Sequence, residues 1–259
     1  MAKILAIANQ KGGVGKTTTT INLAASLAAA KQRVLLIDLD PQGNATMGSG
    51  IEKRDLPTTI YHALLGSNSL RDVLHRSKVG KYDVAPANRE LAGAEIELVD
   101  FPQRETRLKG ALQAVAEEYD YVLIDCPPAL NLLTLNGLCA ARSVMIPMQC
   151  EYYALEGLSD LVNTIQKVRV NLNSSLEIEG LLRTMFDPRN TLAQQVSDQL
   201  QQHFGDKVYR TIIPRNVRLA EAPSYGLPVL YHDKASRGAK AYLALAGELL
   251  NNAAKPATL

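Results

Sequence analysis

The stretch K-G-G-V-G-K-T-T at residues 11–18 decides the fold. A short apolar run at residues 3–8 precedes it and an alanine-rich run at residues 17–30 follows it, so it lies between a predicted buried strand and a predicted helix. A glycine-rich loop in this position is the first half of a βαβ unit, and its backbone N–H groups can surround a phosphate chain. The sequence therefore predicts a phosphate-binding loop rather than a simple turn.

The rest of the chain continues the alternation of strands and helices. Further strands are predicted near residues 83–86, in the polar interval 43–103, and as buried apolar runs at residues 33–38, 121–124, 144–148, 181–184 and 208–213. Long helices are predicted at residues 155–170, 192–204 and 238–250. This pattern is typical of an α/β fold with a doubly wound, mostly parallel sheet flanked by helices.

Composition narrows the class of protein. The chain has 259 residues, 46% of them apolar, and can bury a substantial core. No linker or repeat divides it, so we expect one domain over residues 1–259 without an N-terminal helix-turn-helix domain. The apolar start is too short for a signal peptide, and no run of about 18 apolar residues is free of charge or proline. We expect a cytoplasmic protein with no membrane attachment.

The glycines and cations of the loop indicate how it holds a nucleotide. Glycine at three positions lets the backbone curl closely around phosphate oxygens. Lys16 is placed to reach the β- and γ-phosphates and to act in catalysis, and the Thr17 hydroxyl is placed to complete a Mg²⁺ shell. The predicted nucleotide-binding residues of the loop are Lys11, Gly12, Gly13, Val14, Gly15, Lys16, Thr17 and Thr18.

The loop departs in one respect from the ordinary pattern G-x-x-x-x-G-K-[ST]. Gln10 occupies the position of the first glycine, and an extra lysine, Lys11, precedes the glycine pair. Because Lys16 already serves the phosphates, a second lysine is redundant within one subunit. It becomes useful if it reaches a nucleotide held by a second subunit, as an arginine finger does in trans. The loop therefore points to contact with a second subunit, and a solvated surface lysine is the alternative.

Carboxylates follow two of the predicted strands. Asp38 and Asp40 end the run L-L-I-D-L-D with a spacing of two, which points both side chains the same way at the carboxyl end of the strand. A carboxylate there can hold the attacking water in line with the γ-phosphate. Asp125 ends Y-V-L-I-D before two prolines and fits the position that holds Mg²⁺ through water. A turn-capping role is the alternative for each.

Two loops after later strands are candidates for binding the base. Met185 follows one predicted strand, and the next strand is followed by Pro214, Arg215 and Asn216. A proline ring or a thioether can cover an adenine face while the Asn216 amide reads its edge. Since proline and asparagine are ordinary loop residues, a purely structural role is the alternative.

Taken together, K-G-G-V-G-K-T-T, L-L-I-D-L-D-P-Q-G-N and V-L-I-D-C-P-P resemble the ParA/Soj family of chromosome and plasmid partition ATPases, which have a deviant Walker A loop like that of MinD. The resemblance continues through P-M-Q-C-E-Y-Y-A-L-E-G and I-P-R-N-V-R-L-A-E-A-P-S and so covers nearly the whole chain. It implies a partitioning ATPase of weak intrinsic activity with ATP and Mg²⁺ as cofactors, and it implies that the Pro214 loop binds the base.

The resemblance also implies roles and partners. In an ATP-sandwich homodimer, the catalytic Lys11 reaches the nucleotide of the other subunit, Glu151 approaches its ribose, and Asp40 holds the attacking water. The implied metal residues are Thr17, Asp38 and Asp125. The dimer is expected to bind double-stranded DNA non-specifically on the nucleoid, and a ParB-type centromere-binding partner is expected to stimulate hydrolysis.

Charge is uneven along the chain. Residues 1–180 carry 18 basic and 20 acidic side chains, whereas residues 181–259 carry 10 and 6. Contacts from lysine and arginine to phosphates give binding that is independent of DNA sequence. The candidate DNA contacts are Arg189, Arg218, Lys234, Arg237 and Lys240. An ordinary solvated surface is the alternative.

Two other classes share such a loop. A MinD-like membrane-positioning ATPase ends in a short basic amphipathic helix, whereas this chain ends in N-N-A-A-K-P-A-T-L, a poor anchor. Metabolic ligases and iron–sulfur reductases form the second class. A reductase needs cysteines that ligate its cluster, and Cys126, Cys139 and Cys150 lie in or beside apolar runs, as buried structural cysteines do. A ligase would need a small-substrate pocket, which the sequence does not decide.

Overall fold

The computed structural model describes residues 2–253. Its strands are β1 (Lys3–Ile7), β2 (Val34–Asp38), β3 (His75–Arg76), β4 (Asp83–Ala85), β5 (Tyr121–Asp125), β6 (Ser143–Met148) and β7 (Glu177–Arg183). They form one sheet in the order β3-β4-β2-β5-β1-β6-β7. Among these strands every neighbouring pair is parallel except β3 and β4. Most of the segment that we judged a poor membrane anchor, residues 254–259, lies outside the described residues.

Helices connect the strands and cover both faces of the sheet. They are α1 (Lys16–Ala29), α2 (Asn44–Gly48), α3 (Ile60–Leu65), α4 (Leu91–Glu97), α5 (Arg107–Leu112), α6 (Leu132–Ala140), α7 (Ala154–Asn171), α8 (Thr191–Phe204), α9 (Val217–Glu221), α10 (Val229–His232) and α11 (Arg237–Ala253). Side chains of α1 and α11 share one hydrophobic cluster, and side chains of α6, α7 and α8 share the other. The predicted doubly wound architecture is confirmed.

The central strands read as continuous apolar runs because both of their faces are covered. All five residues of β2 are buried. Within this strand Leu35 and Ile37 belong to one cluster, whereas Leu36 belongs to the other, as the alternation of side chains across a sheet requires.

The sequence placed most elements correctly and one strand wrongly. The predicted strands at residues 3–8, 33–38, 121–124 and 144–148 are present with ends that differ by one residue. Residues 208–213 form only an isolated bridge at Val208. The N–H groups of Arg210 and Thr211 donate to the Glu248 carboxylate of α11 instead of a neighbouring strand. Because these donors are turned toward a helix, no continuous ladder forms on this side of β7.

Candidate nucleotide-binding site

Several predicted site residues meet at one edge of the sheet. The strands β1, β5 and β2 end together there, since Asp125 is in register with both Ile7 and Asp38. The loop between β1 and α1 leaves from the same edge. The strands β5 and β6 lie on opposite sides of β1, and a crevice where connections diverge in this way is the usual ligand site of an open parallel sheet.

The glycine-rich loop has the backbone that its motif predicts. Gly13 and Gly15 have φ angles of 74° and 89°, in the left-handed region that residues with a Cβ rarely adopt. Gly15 directly precedes the 14-residue helix α1, whose first N–H groups are free to bind an anion. Behind the loop, the Thr184 hydroxyl donates to the Val14 carbonyl at 2.7 Å and ties the loop to the end of β7.

Lys16 lies inside the site rather than on the surface. Only 7% of the residue is exposed, and its Nζ donates to the Lys11 carbonyl at 3.1 Å. Burial lowers the pKa of Lys16, while the nearby Asp125 and Asp40 favour its charged form. An ammonium group beside a curled loop is well placed to pair with phosphate oxygens.

Lys11 has the opposite surroundings. Its side chain is 44% exposed, and its Nζ lies 2.5 Å from the carboxylate of Glu151, in the segment before α7. The family resemblance gives both residues contacts with a second subunit, whereas here they pair with each other within one chain. One lysine of the loop is therefore buried among carboxylates, and the other lies at the surface.

Asp125 is fully buried and is held by two threonines of α1. The Thr17 hydroxyl donates to one carboxylate oxygen at 2.8 Å, and the Thr20 hydroxyl donates to the other at 2.9 Å. Burial and the neighbouring Asp38 raise the pKa of Asp125. Sequence reasoning missed Thr20. The signal that could have found it is its spacing of three residues from Thr17, which places both hydroxyls on one face of the helix.

A hydroxyl and a carboxylate in contact suit a magnesium ion. Magnesium prefers oxygen ligands and is usually held by one or two carboxylates together with water and substrate phosphates. Within residues 2–253 no three His, Cys, Asp or Glu side chains form a group that could hold a metal. The hydroxyl of Thr17 and the carboxylate of Asp125 fit an ion that also takes oxygen ligands from water and from nucleotide phosphates.

Asp38 is fully buried, and its carboxylate is largely occupied. Its Oδ2 accepts the backbone N–H and the hydroxyl of Thr46, both at 2.8 Å, and its Oδ1 accepts the Asp40 N–H at 3.1 Å. Burial raises the pKa of Asp38 against the effect of these bonds. Asp40 is half-buried, and its carboxylate accepts the Gln42 N–H at 2.9 Å. Sequence reasoning also missed Thr46.

A cavity of about 310 Å³ opens beside the loop. The residues that the sequence assigned to base binding, Met185, Pro214, Arg215 and Asn216, all line it. The side-chain oxygen of Asn216 is buried and has no hydrogen-bond partner in the described part of the chain. A buried acceptor without a partner is the exception in folded proteins, and the residue that carries it lines a cavity large enough for a nucleobase.

Comparisons with known proteins identify the family of the chain. A family model described as an AAA domain matches residues 2–178. The chain is 57% identical over 252 residues to the Bacillus subtilis sporulation initiation inhibitor protein Soj, covering 97% of this chain and 100% of that one. It is 54% identical over 250 residues to the Myxococcus xanthus chromosome partitioning protein ParA, covering 96% and 88%. The chain belongs to the Soj/ParA family of chromosome-partitioning ATPases. Its ATPase activity follows from that membership.

Solved structures share the fold. A Mycobacterium smegmatis protein described as cobyrinic acid a,c-diamide synthase, with bound ADP and magnesium, is 38% identical with a TM-score of 0.86, covering 97% of this chain and 95% of that one. It is also known with an ATP analogue and magnesium, so nucleotide and magnesium bind within this fold family. The cell division ATPase MinD of Pyrococcus furiosus has a TM-score of 0.80 at 23% identity, covering 97% and 100%, which shows the fold alone.

The candidate DNA contacts of this Soj/ParA protein fall into separate groups. Arg189 and Arg237 border one cleft of about 430 Å³, which also contains Arg215 and Asp187. Arg189 pairs with Asp187 at 2.7 Å, and this contact lowers the pKa of Asp187 to about 2.

The other candidates lie outside that cleft. Arg218 lies between two carboxylates, at 2.8 Å from Glu221 and 3.3 Å from Asp233. Lys234 and Lys240 are exposed and form no ion pair with any residue between 2 and 253.

The cysteines and the helices bear on the two competing classes of protein, the iron–sulfur reductases and the membrane-positioning ATPases. Cys126, Cys139 and Cys150 are free and buried, and burial raises the pKa of each thiol. Such thiols behave as inert core residues rather than as ligands or nucleophiles. In the described chain, no helix is both long and apolar enough to cross a membrane.

Proposed function

We propose that this Soj/ParA ATPase is an ATP-switched dimer that binds DNA without sequence preference and releases it after hydrolysis. The observation that carries the proposal is the unequal placement of the two loop lysines. Lys16 is buried where phosphates bind, and Lys11 is at the surface. The exposed pair of Lys11 with Glu151 is weak, so this cation, which its own phosphate site does not use, can turn to a nucleotide held by a second copy of the chain.

Within the site each residue has a defined task. Lys16 and the backbone N–H groups of residues 12–17 bind and orient the phosphates. Thr17, and Asp125 through water, would hold magnesium, which would neutralise charge on the phosphate oxygens. Asp40 holds a water molecule for attack on the γ-phosphate, which yields ADP and phosphate. Lys11 of the other subunit stabilises the charge that develops in the transition state.

The basic C-terminal region supplies the DNA contacts in this proposal. Two subunits in one dimer present twice as many cations to a duplex, so ATP-dependent dimerisation makes DNA binding depend on ATP. Hydrolysis removes the phosphate that both subunits hold and separates them from the DNA. The proposal places the protein on the nucleoid in the cytoplasm, with a ParB-type centromere-binding protein as the stimulating partner. The names of its relatives, which include chromosome partitioning proteins, support this choice.

The proposal is tested with random double-stranded DNA. Binding is measured with ATP, with ADP and without nucleotide, over a series of salt concentrations, while light scattering reports the oligomeric state. We expect a dimer and tight binding only with ATP, and an affinity that falls steeply with salt. Binding that is indifferent to nucleotide or to salt would contradict the proposal, and so would a protein that stays monomeric with ATP.

A parallel experiment separates the MinD-like alternative. The same nucleotide series is repeated with vesicles that contain anionic lipids, in place of DNA. We expect the protein to stay in the supernatant after sedimentation of the vesicles. ATP-dependent binding to vesicles together with an absence of DNA binding would favour the membrane-positioning function instead.

A further inference from the structure

The Asp38 carboxylate accepts more hydrogen bonds than a metal ligand needs. It accepts three, two from Thr46 and one from the Asp40 N–H. Each carboxylate oxygen can accept about two such bonds. Oδ2 is therefore saturated, and a single acceptor position is left on Oδ1 for a metal ion or a water molecule bound to it.

Thr46 connects this cluster to the neighbouring strand. It is fully buried within α2, and its hydroxyl oxygen accepts the Ala87 N–H, just after β4, at 2.9 Å. The turn between β2 and α2 is also fixed, because Gly43 donates to the Asp40 carbonyl at 2.8 Å. A Cβ at Gly43 would lie 2.5 Å from the Ala87 carbonyl oxygen, so the turn has no room to move toward β4.

We propose that Thr46 is a positioning residue for hydrolysis, because through Asp38 it fixes the backbone of Asp40 and hence the carboxylate that holds the attacking water. The inference rests on the role proposed above for Asp40. It gives Asp38 a structural role in the site, in place of the metal-binding role that the family resemblance implied. A shift of about 1 Å in a catalytic group can cost about a hundredfold in rate, so this framework controls turnover.

The main test is Thr46→Val, which removes the hydroxyl and keeps the backbone N–H bond to Asp38. We expect kcat for phosphate release to fall about tenfold to a hundredfold, while the affinity for a fluorescent ATP analogue with magnesium stays at the wild-type value. Thr46→Ser keeps a hydroxyl at this position, and we expect it to restore most of the rate. A split between kcat and affinity, with rescue by serine, distinguishes positioning from a general loss of structure.

Ser49→Ala, at the residue that follows α2, is the matched control. Ser49 is 2% exposed, and its hydroxyl lies 2.7 Å from the Ala45 carbonyl oxygen and 2.8 Å from the Tyr82 hydroxyl, with no hydrogen bond to a carboxylate of residues 2–253. The control loses a buried hydroxyl close to Thr46, so we expect it to lower the melting temperature in the same way and to leave kcat unchanged.

A second variant covers the case in which Thr46→Val does not fold. Asp38→Asn keeps an oxygen that accepts from Thr46, but its amide group opposes the Asp40 N–H, because both are donors. We expect a slower turnover with an unchanged magnesium concentration for half-maximal binding of the ATP analogue. Loss of a metal-shell residue would instead raise that concentration about tenfold to a hundredfold.

The outcomes separate this inference from the proposed function. Full turnover by Thr46→Val, an equal loss in Ser49→Ala, or a raised magnesium requirement in Asp38→Asn would overturn the positioning role. Asp40→Ala is measured alongside. If it hydrolyses ATP normally, the proposed role of Asp40 itself is wrong, whereas a slow Asp40→Ala beside normal Thr46→Val and Asp38→Asn proteins refutes the positioning role alone.

Discussion

Two regions of the molecule differ in how far their charged side chains are buried. One is the phosphate edge of the sheet, with Lys16, Asp38 and Asp125. The other is the basic C-terminal surface, with Arg189, Arg218, Lys234, Arg237 and Lys240. At the edge, Lys16 is 7% exposed and Asp38 and Asp125 are fully buried, and the bonds of Asp125 run to Thr17 and Thr20, 108 and 105 residues away in the sequence. On the C-terminal surface the side chain of Arg189 is 89% exposed and that of Arg218 is 52% exposed. Their carboxylate partners lie mostly within three residues along the chain.

The difference predicts the size of mutational effects. A charge in a buried site interacts strongly because little water screens it, and removal of one partner leaves the other uncompensated. An exposed ion pair contributes only about 0–1 kcal/mol and is screened by salt. Substitutions at the edge should therefore abolish nucleotide or magnesium binding or hydrolysis, whereas substitutions on the C-terminal surface should only weaken DNA binding.

The largest expected effect is that of Lys16→Ala. The variant removes a buried cation from the phosphate loop, and loss of such a partner costs about 2–5 kcal/mol, equivalent to a reduction in ATP affinity of at least about thirtyfold. Equilibrium binding of a fluorescent ATP analogue measures it. The control is Lys167→Ala, which removes an exposed lysine of α7 and should bind normally. A Lys16→Ala protein with wild-type affinity would refute the site.

Gly12→Val should block dimerisation while ATP binding survives. A Cβ at Gly12 meets no atom within 4 Å, so a valine has room in the single chain, whereas in the proposed dimer it would project toward the second subunit. Gly13→Val is the matched variant, because Gly13 also has open space but a φ of +74°, and the strain of about 1–3 kcal/mol there should weaken ATP binding as well. Sedimentation in the presence of ATP measures the dimerisation of both variants, and the fluorescent ATP analogue measures their nucleotide binding. A Gly12→Val dimer as tight as wild type would disprove the predicted contact.

Magnesium binding should strengthen as pH rises. Burial raises the pKa of Asp125 above its ordinary value, so between the two values the folded protein holds a proton that must leave before the carboxylate can serve magnesium. The folded chain binds this proton more tightly than the unfolded chain. Without ligand, stability is therefore highest below the unfolded-state pKa and falls as pH rises through the folded-state value.

Asp125→Asn tests that pH dependence. We expect it to need much more magnesium for binding of the ATP analogue and to flatten part of the decline of stability with pH, since Asp38 has a raised pKa as well. Calorimetric titration with magnesium and thermal unfolding across mildly acidic to mildly alkaline pH provide the two readouts. A magnesium affinity that is independent of pH in the wild-type protein would contradict the assignment.

How far the sequence predicted these two regions also differs. At the edge, the fixed spacing of the loop and the strand-terminal positions of Asp38 and Asp125 were enough to predict that these residues lie close together, because the carboxyl ends of parallel strands meet at one edge of the sheet. The supporting hydroxyls of Thr20 and Thr46 were missed, since threonine is common and its partners are set by packing. Helix α6 was missed too, although Asn131 caps it by accepting the Thr134 N–H at 3.1 Å.

On the C-terminal surface the sequence predicted charge but not pairing. The excess of cations beyond residue 207 was visible, but the contact of Arg218 with Asp233 depends on how α9 and α10 pack together. The strand predicted at residues 208–213 failed for a related reason. The N–H groups of Arg210 and Thr211 bond to Glu248, a residue 37 or 38 positions away that no local pattern identifies.

The smallest expected effects concern DNA, where Arg237→Gln and Arg218→Gln remove the same charge. Arg237 forms no ion pair in the described chain and borders the cleft with Arg189. Its loss should weaken binding of random DNA severalfold and reduce the salt slope by about 1 per subunit. Arg218 must first leave two carboxylates, so its net contribution to binding is close to zero. We therefore expect Arg218→Gln to bind within about twofold of wild type.

Fluorescence anisotropy with a random duplex, with ATP present, measures both variants over a salt series. Because the two proteins have equal net charge, a general electrostatic effect would move them together, and only a local contact can separate them. Equal losses of affinity and equal salt slopes would mean that the C-terminal surface acts through its total charge. A larger loss in Arg237→Gln would place the phosphate backbone in the cleft between Arg189 and Arg237.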